Sequence, residues 1–311
     1  MALLTVNDYS YPQGWSDSQG SEERARWCCS QLEDGHVLLL ERIPFDLPEA
    51  DLQFLRSQRQ SGSSIHKNIS YRPCQDQLRG FAANEPKEVD HLHQVMRNYS
   101  TQVVKFLSLF LAPYAPYWKL DFASFRPLEE QGRDLPLHKR NDLIHVDSFP
   151  GRPTRGARIL RCFTNINPSE ARTWLIGDHF PQVAKRYAMD AGLKKFAQRA
   201  SVPTSMVRKV IAPLQRLLGN RVADRAPYDQ FMLHLHDYLK ENTEFQRDGA
   251  KFRVDFRPYW TWIAFTDAVP HAVLSGRLAL EQTLIIPLNG LVSSEKSPLR
   301  NLEELAGRQL V

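Results

Sequence analysis

The chain has 311 residues, of which 42% are hydrophobic, so it can bury a sizeable core. Its net charge of +5 favours anionic partners such as phosphates, carboxylates or an anionic membrane surface, and no nucleic acid is expected to bind. No apolar run approaches the roughly 20 residues that a membrane-spanning helix needs. The four cysteines show no CxxC pattern and two of them are adjacent, which is a poor basis for disulfides and fits a cytoplasmic protein.

The first third of the chain is predicted to supply helices that support a sheet. Residues 1–34 are polar and are expected to be irregular. Residues 36–41 are typical of a buried strand. A helix is expected to start near Asp46, which can cap it, with Pro48 in its first turn. A longer helix is expected after Pro86, because apolar residues recur there every three or four positions.

From residue 118 onward the pattern changes to short segments that are rich in aromatic and β-branched residues, which is typical of strands. The predicted strands cover residues 118–126, 158–164, 172–176, 252–256, 260–265 and 278–286. The stretch between the third and fourth of these strands lacks alternation and predicts helices over residues 182–198, 205–218 and 228–241. We therefore expect one domain over residues 35–311, with a helical insertion at about 178–248.

His145-Val-Asp147 and the distant His271 form the most informative motif of the sequence. On a strand, residues i and i+2 point to the same face, so His145 and Asp147 can converge. Two histidines and one carboxylate are the ligand set of non-haem Fe(II) oxygenases with open coordination positions. A single His-x-Asp is common by chance, so a loop histidine beside a turn aspartate is the alternative interpretation.

The other histidines are weaker candidates for metal ligands. His91-Leu-His93 and His234-Leu-His236 lie in predicted helices, where residues two apart do not share a face. His66 and His138 lack partners at ligand spacing, and His179 fits the start of a helix.

Five stretches of the sequence resemble the Kdo 3-hydroxylases, which act on 3-deoxy-D-manno-oct-2-ulosonic acid (Kdo) in bacterial lipopolysaccharide. They are residues 121–127, 145–150, 160–168, 172–174 and 265–277. The likeness extends over about residues 36–290, and 160–174 is its most specific part. It implies an α+β fold with a double-stranded β-helix (jelly-roll, cupin-like) core, N-terminal supporting helices and a helical insertion. It also implies Fe(II) as cofactor, with 2-oxoglutarate and O2 as cosubstrates.

The resemblance further implies that His145, Asp147 and His271 bind the iron and are the catalytic residues. Arg277 is expected to pair with the distal carboxylate of 2-oxoglutarate, since a guanidinium fork suits a planar anion. In the wider superfamily this arginine often lies further after the distal histidine, whereas Arg277 follows His271 by six residues. Because Asp147 fills the carboxylate position, halogenation is not expected.

Four more residues are expected to bind the substrate. Arg126, Arg161 and Arg172 lie on predicted strands beside the motif and could bind anionic groups, and Trp174 could cover an apolar sugar face. The alternative for each arginine is a strand residue that faces solvent.

The resemblance therefore predicts hydroxylation at C3 of Kdo in Kdo-lipid A, giving D-glycero-D-talo-oct-2-ulosonic acid (Ko), succinate and CO2. The alternatives are a related oxygenase that hydroxylates another anionic metabolite, lipid or protein, and a non-catalytic β-barrel module that binds phosphate-rich ligands. The sequence does not indicate an oligomeric state.

The predicted helical insertion is rich in cations. These residues could form a basic face for peripheral contact with the cytoplasmic side of the inner membrane, or the solvated side of ordinary helices. The cations are Lys185, Arg186, Lys194, Lys195, Arg199, Arg208, Lys209, Arg216, Arg221 and Arg225.

Overall fold

The computed structural model describes residues 2–10, 13–15, 20–58, 68–81, 86–199 and 225–311. The described helices are α1 (Ser21–Glu33), α2 (Glu49–Ser57), α3 (Pro86–Phe110), α4 (Phe180–Tyr187), α5 (Leu193–Arg199), α6 (Pro227–Glu241), α7 (Thr243–Asp248) and α8 (Pro298–Ala306). The described strands are β1 (Leu3–Thr5), β2 (Tyr9–Ser10), β3 (Gly14–Trp15), β4 (Val37–Leu40), β5 (Ile69–Arg72), β6 (Gln77–Arg79), β7 (Lys119–Arg126), β8 (Arg158–Asn165), β9 (Arg172–Gly177), β10 (Lys251–Phe256), β11 (Thr261–Phe265), β12 (His271–Ser275) and β13 (Ala279–Ile286). The fold is therefore mixed α+β.

An eight-stranded sheet forms the centre of the molecule, in the order β1-β4-β11-β8-β13-β7-β5-β6. Only the β1–β4 pair is parallel; the other neighbours within this sheet are antiparallel. A second sheet has the order β10-β9-β12, and His145 forms an isolated bridge to the first residue of β12. All six strands predicted between residues 118 and 286 are confirmed within one residue at each end.

The central strands of the large sheet are buried on both faces. Along β11, Ile263 and Phe265 join the core on one side, whereas Trp262 and Ala264 join the core on the other. This alternation follows from the two-residue period of a strand. It explains why β11 is apolar throughout its length.

Helices α1 and α3 cover one face of the large sheet, and of these two only α3 was predicted from the sequence. One apolar face of α3, which includes Val95, Tyr99 and Phe106, is buried against Ile263 and its neighbours on the sheet. Helix α2 begins at Glu49 with Pro48 as its N-cap, so the prediction that Asp46 caps it is wrong.

The three-stranded sheet packs against the opposite face of the large sheet through aromatic rings. Phe256 stacks on Trp262 with ring centroids 3.9 Å apart, and Phe163 of the large sheet meets Trp174 of the small sheet edge to face at 4.9 Å. Trp174 meets Trp262 edge to face at 5.5 Å. These contacts fix the separation of the two sheets and so position the strands that carry the predicted site.

Between β9 and β10, the described residues form α4, α5, α6 and α7, so this stretch is helical as predicted. The predicted helix over residues 182–198 is two helices, because the chain turns at Gly192, whose φ is +82°. The predicted helix over residues 205–218 lies outside the described residues. In the described part of the chain, no helix is both long and apolar enough to cross a bilayer.

The prediction that residues 1–34 are irregular is wrong, because α1 occupies residues 21–33 and buries Cys28, Cys29 and Leu32. Glu33, at its C-terminal end, is also buried. Its carboxylate accepts hydrogen bonds from Tyr114 Oη (2.7 Å), Val292 N (2.8 Å) and Ser293 N (2.6 Å). The N-terminal helix is thus bound to two distant parts of the fold.

We expect Glu33→Ala to lower the free energy of unfolding by about 2–4 kcal/mol, because the buried Tyr114 hydroxyl and two partly buried backbone N–H groups lose their acceptor. Urea unfolding followed by circular dichroism would measure the change. Arg26→Ala, at an exposed position of the same helix, should alter stability by less than about 0.5 kcal/mol. Equal unfolding midpoints for the two variants would contradict this role of Glu33.

Candidate metal centre

Backbone hydrogen bonds bring the two halves of the predicted metal motif together. His145 N donates to His271 O at 3.1 Å, and His271 N donates to His145 O at 2.9 Å. Asp147 N donates to Thr266 O at 2.8 Å, which extends the pairing by two residues. The segment around His145 is therefore held alongside β12 by an isolated bridge, although it is not the regular strand that the sequence predicted.

The side chains of His145, Asp147 and His271 converge. One ligand atom from each lies within 4.8 Å of the others, and no other such group of metal-binding side chains occurs in the described residues. His145 Nε2 is 3.8 Å from Asp147 Oδ1, and His271 Nε2 is 4.0 Å from Asp147 Oδ2. The structure thus brings the three residues of the predicted motif together.

Both imidazole rings are oriented by backbone carbonyls. His145 Nδ1 lies 2.7 Å from Leu143 O, and His271 Nδ1 lies 2.9 Å from Val269 O. A carbonyl can only accept, so each Nδ1 carries the proton and each Nε2 presents its lone pair to the centre. Such second partners are typical of histidines that bind metals.

The charge states also suit a metal. Burial lowers the pKa of His145 well below its usual value, with a further contribution from His271, and burial likewise lowers the pKa of His271. Burial raises the pKa of the Asp147 carboxyl, but Arg161 and the two histidines outweigh it, so the pKa is lowered overall. At neutral pH the centre therefore offers two neutral imidazoles and one carboxylate.

The residues fit a divalent cation such as Fe(II). Asp147 Oδ2 is buried and accepts no hydrogen bond of good geometry, although Arg161 Nη1 is 3.2 Å away. An unsatisfied buried carboxylate oxygen is costly unless a further ligand completes its environment. Three protein ligands would leave the remaining coordination positions open to the adjoining cavity.

That cavity has a volume of about 790 Å³ and contains the predicted substrate residues. Arg126, Arg161, Arg172 and Trp174 all line it together with the three metal-binding residues. Trp174 also stacks on His271, with ring centroids 4.9 Å apart. Because the three arginines are largely buried and face this cavity, they are not the solvent-facing strand residues of the alternative interpretation.

Two buried glutamates, Glu281 and Glu130, pair with these arginines. Arg161 Nη1 lies 3.2 Å from Asp147 Oδ2 and 3.3 Å from Glu281 Oε1, so it connects the metal centre to β13. Arg126 Nε donates to Glu281 Oε2 at 2.9 Å. Burial raises the pKa of Glu281, but the two arginines outweigh it and lower the pKa overall, so this glutamate is ionised at neutral pH.

Arg172 has two hydrogen-bond partners and one donor without an acceptor. Its Nη2 donates to Glu130 Oε1 at 3.4 Å and its Nη1 donates to Gly276 O at 2.7 Å, while its Nε is buried without a hydrogen-bond partner. Burial lowers the pKa of Arg172 to about 10, which still leaves it protonated at neutral pH. A cation with a free donor is therefore available in the cavity wall.

Arg277 does not lie where the sequence predicted. Its side chain is 49% exposed, pairs with Glu170 at 3.4 Å, and is not part of the cavity lining. The cause is the turn before β13, in which Gly276 has a φ of +112° and Leu278 a φ of +58°. Since β13 begins at Ala279, Arg277 belongs to this turn and points away from the metal-binding residues.

Several cavity residues were missed by sequence reasoning. Glu281 sits in β13, and a charged residue in a strand whose ends are apolar was the signal that could have found it. Lys240 and His236, both on α6, line the cavity as well. Lys240 Nζ donates to His138 O at 2.9 Å, and burial lowers the pKa of Lys240 to about 8.

The competing histidines do not form ligand groups in the described part of the chain. His236 comes nearest, with its ring centroid 4.8 Å from that of His145 and its Nδ1 bonded to Val146 O, but it is not part of the group of converging ligand atoms. His138 lines the cavity rim and contacts Glu241. His66 lies outside the described residues.

Comparisons with known proteins agree with this geometry. The family model of 3-deoxy-D-manno-oct-2-ulosonic acid (Kdo) hydroxylase matches residues 15–309. A crystal structure of the Kdo hydroxylase KdoO, a non-haem Fe(II) α-ketoglutarate-dependent dioxygenase, in complex with α-ketoglutarate and Fe(III) is 32% identical, with a TM-score of 0.81, over 100% of this chain and 98% of that chain.

Two further KdoO structures give the same result. The cobalt(II) complex is 34% identical, with a TM-score of 0.82, over 99% of this chain and 97% of that chain. The apo structure is 32% identical, with a TM-score of 0.80, over 100% of this chain and 98% of that chain. A search of curated proteins gave no match. The chain therefore belongs to the Kdo hydroxylase family of non-haem Fe(II)/2-oxoglutarate-dependent dioxygenases.

Proposed function

We propose that the protein hydroxylates C3 of Kdo in Kdo-lipid A, with Fe(II), 2-oxoglutarate and O2, and forms Ko, succinate and CO2. The observation that carries this proposal is a buried His-Asp-His centre that opens into a cavity lined by arginines. We further propose that the two facing sheets are a double-stranded β-helix. The bridge that adds the His145 segment to the three-stranded sheet supports this assignment.

His145, Asp147 and His271 would hold the iron, which supplies oxygen activation together with its cosubstrate. The protein's own contribution is position and charge. The backbone carbonyls fix the two imidazole rings, and Arg161 keeps Asp147 ionised. Trp174 covers one face of the His271 ring and so shields that ligand from water.

Arg172 is the best candidate to pair with the distal carboxylate of 2-oxoglutarate, in place of Arg277. Arg172 and Trp174 lie two residues apart on β9, hence on one face and about 6.6 Å apart along the strand. Trp174 stacks on the metal-binding His271 and therefore marks the position of the metal centre along β9. The spacing from Trp174 to Arg172 is comparable to the length of an extended five-carbon diacid such as 2-oxoglutarate. Arg126 and Arg161 are instead engaged by Glu281.

The Kdo unit itself carries a carboxylate, which needs a cation near the metal. Arg126 and Arg161 occupy the large-sheet wall of the cavity, and Lys240 faces them from α6. Lys240 uses one donor on His138 O and keeps two for a ligand. These three side chains would hold the sugar so that its C3 faces the open coordination positions.

A position at the cytoplasmic face of the inner membrane would give the enzyme access to a lipid-linked sugar. Lys185, Arg186, Lys194 and Lys195 are exposed on α4 and α5, which supports contact with anionic headgroups. The other predicted cations of this face, apart from Arg225, have no described side chain.

Incubation of the purified enzyme with Kdo-lipid A tests the proposal directly. We expect a product that is heavier by one oxygen atom, formed only with Fe(II) and 2-oxoglutarate, together with an equal amount of succinate. Mass spectrometry of the acceptor and a succinate assay would measure both. Hydroxylation of a different anionic compound, with none of Kdo-lipid A, would favour the related-oxygenase alternative.

We expect Asp147→Ala to lose bound iron and to reduce turnover by more than about 100-fold, because the only anionic ligand is removed. Metal analysis of the purified variant and a succinate assay would measure these effects. Asp237→Asn is a matched control, since Asp237 lines the same cavity without belonging to the ligand group. Full iron content in folded Asp147→Ala would exclude this metal centre.

We expect Arg172→Lys to raise the KM for 2-oxoglutarate by about 10-fold or more, because lysine cannot form the bidentate pair. Arg277→Ala should leave this KM within about twofold of the wild type, since a lost exposed ion pair costs little. Initial rates at saturating acceptor would measure both constants, with thermal melting as the folding control. A larger rise of this KM in Arg277→Ala than in Arg172→Lys would indicate that Arg277 pairs with the distal carboxylate of 2-oxoglutarate.

A further inference from the structure

A second cavity, of about 820 Å³, adjoins the metal cavity on the same side of the large sheet. Asn68, Arg126 and Arg161 line both cavities, so the two share a wall. The described lining of the second cavity includes none of the three metal-binding residues and lies beside the β5–β6 hairpin. It is therefore a separate space that an extended acceptor could reach from the metal centre.

The wall of this second cavity is strongly cationic. Its described lining contains five arginines and one carboxylate, and these residues are Arg72, Arg79, Arg126, Arg152, Arg161 and Glu281. Glu281 already neutralises Arg126 and Arg161, and Asp121 pairs with Arg152. Two positive charges, those of Arg72 and Arg79, are left over.

Arg72 and Arg79 have no carboxylate partner within the described part of the chain. Arg72 Nε is buried without a hydrogen-bond partner, and the guanidinium lies 4.9 Å from the centre of the Phe122 ring. Arg79 donates only to the neutral side chain of Gln77, at 2.9 Å. A buried donor on a cation is costly unless a ligand satisfies it, so its environment is incomplete in the free protein.

The register of the hairpin places both arginines on one face. Ser70 is directly opposite Arg79, and Arg72 lies two residues beyond Ser70, so Arg72 and Arg79 are diagonal neighbours. Diagonal pairs are about 7–8 Å apart at the backbone, which is within reach of two long side chains. The two guanidinium groups can therefore bind different oxygens of the same anion, one from each side.

We propose that the second cavity binds a further anionic group of the acceptor between Arg72 and Arg79, while C3 of the reacting Kdo lies in the metal cavity. This rests on the proposed function. The group is a phosphate monoester of the lipid A portion or the carboxylate of a second Kdo unit, which present the same chemistry to a guanidinium fork. The site would then select acceptors that carry more than one anion.

The test compares Arg72→Gln/Arg79→Gln with wild type and with the control Arg247→Gln, which removes one exposed cation outside both cavity linings. We expect the double variant to raise the KM for Kdo-lipid A by about 10- to 100-fold, as loss of hydrogen bonds to charged groups predicts. The KM for 2-oxoglutarate should change by less than about twofold. Arg79→Gln alone should give a smaller rise, and thermal melting would check that each variant is folded.

Three acceptors distinguish the two sources of the anion: lipid A with one Kdo, its dephosphorylated form, and phosphorylated lipid A with two Kdo units. If a phosphate binds, dephosphorylation raises the wild-type KM to that of the double variant. If the carboxylate of a second Kdo unit binds, the wild-type KM is lower for the acceptor with two Kdo units than for the acceptor with one. The double variant then shows no such difference.

An unchanged KM for every acceptor, or a rise confined to 2-oxoglutarate, would overturn the inference and leave the proposed function standing. Failure of the wild-type enzyme to hydroxylate any of the three acceptors would overturn both.

Discussion

The metal centre depends on the reciprocal backbone hydrogen bonds between His145 and His271. They fix the distance between two segments that are far apart in the sequence, and the bond from Asp147 N to Thr266 O fixes their direction. Each ring is then oriented by the carbonyl two residues before it, Leu143 for the one and Val269 for the other. The hydrogen bonds that orient both rings therefore come from the backbone, and for His271 the stacked Trp174 ring adds a side-chain contact.

Charge balance explains how such a centre can be buried. Three arginines, Arg126, Arg161 and Arg172, face three carboxylates, those of Glu130, Glu281 and Asp147. Buried charges are tolerated when they are paired. A divalent cation and the dianion of 2-oxoglutarate also cancel, so binding both would leave the balance unchanged. The two described cavity linings also contain cations outside this set, among them Lys240, Arg72 and Arg79, which remain for the anions of the acceptor.

One face of the large sheet serves two purposes. On β11 and β4 its side chains are apolar, as in Trp262 and Leu39, and pack against the second sheet. On β13 and β7 the same face carries Glu281 and Arg126 and forms the cavities. The aromatic half supplies the burial that holds the sheets together, while the charged half is kept open for ligands.

This division explains how much the sequence could predict. The strands that carry Arg126, Arg161, Arg172 and Trp174 followed from their aromatic and β-branched composition, whereas the face of each arginine was left open between the site and solvent. The pairing of His145 with Asp147 followed from the two-residue period of a strand, which holds for any extended segment. Which helix would cover the cavity did not follow, because nothing local in α6 indicates that His236 and Lys240 face the metal-binding residues.

Arg277 shows where this reasoning fails. Its direction is set by the positive φ angles of Gly276 and Leu278 and not by a pleat, and such angles cannot be inferred from residue spacing. The same turn positions Arg172, since a Cβ on Gly276 would lie 2.8 Å from the Cα of Arg172, and Gly276 O accepts a bond from Arg172 Nη1. A glycine is needed for this close approach. The turn that directs Arg277 toward solvent therefore also seats Arg172 in the cavity wall, so one local conformation decides which of two arginines can reach a ligand.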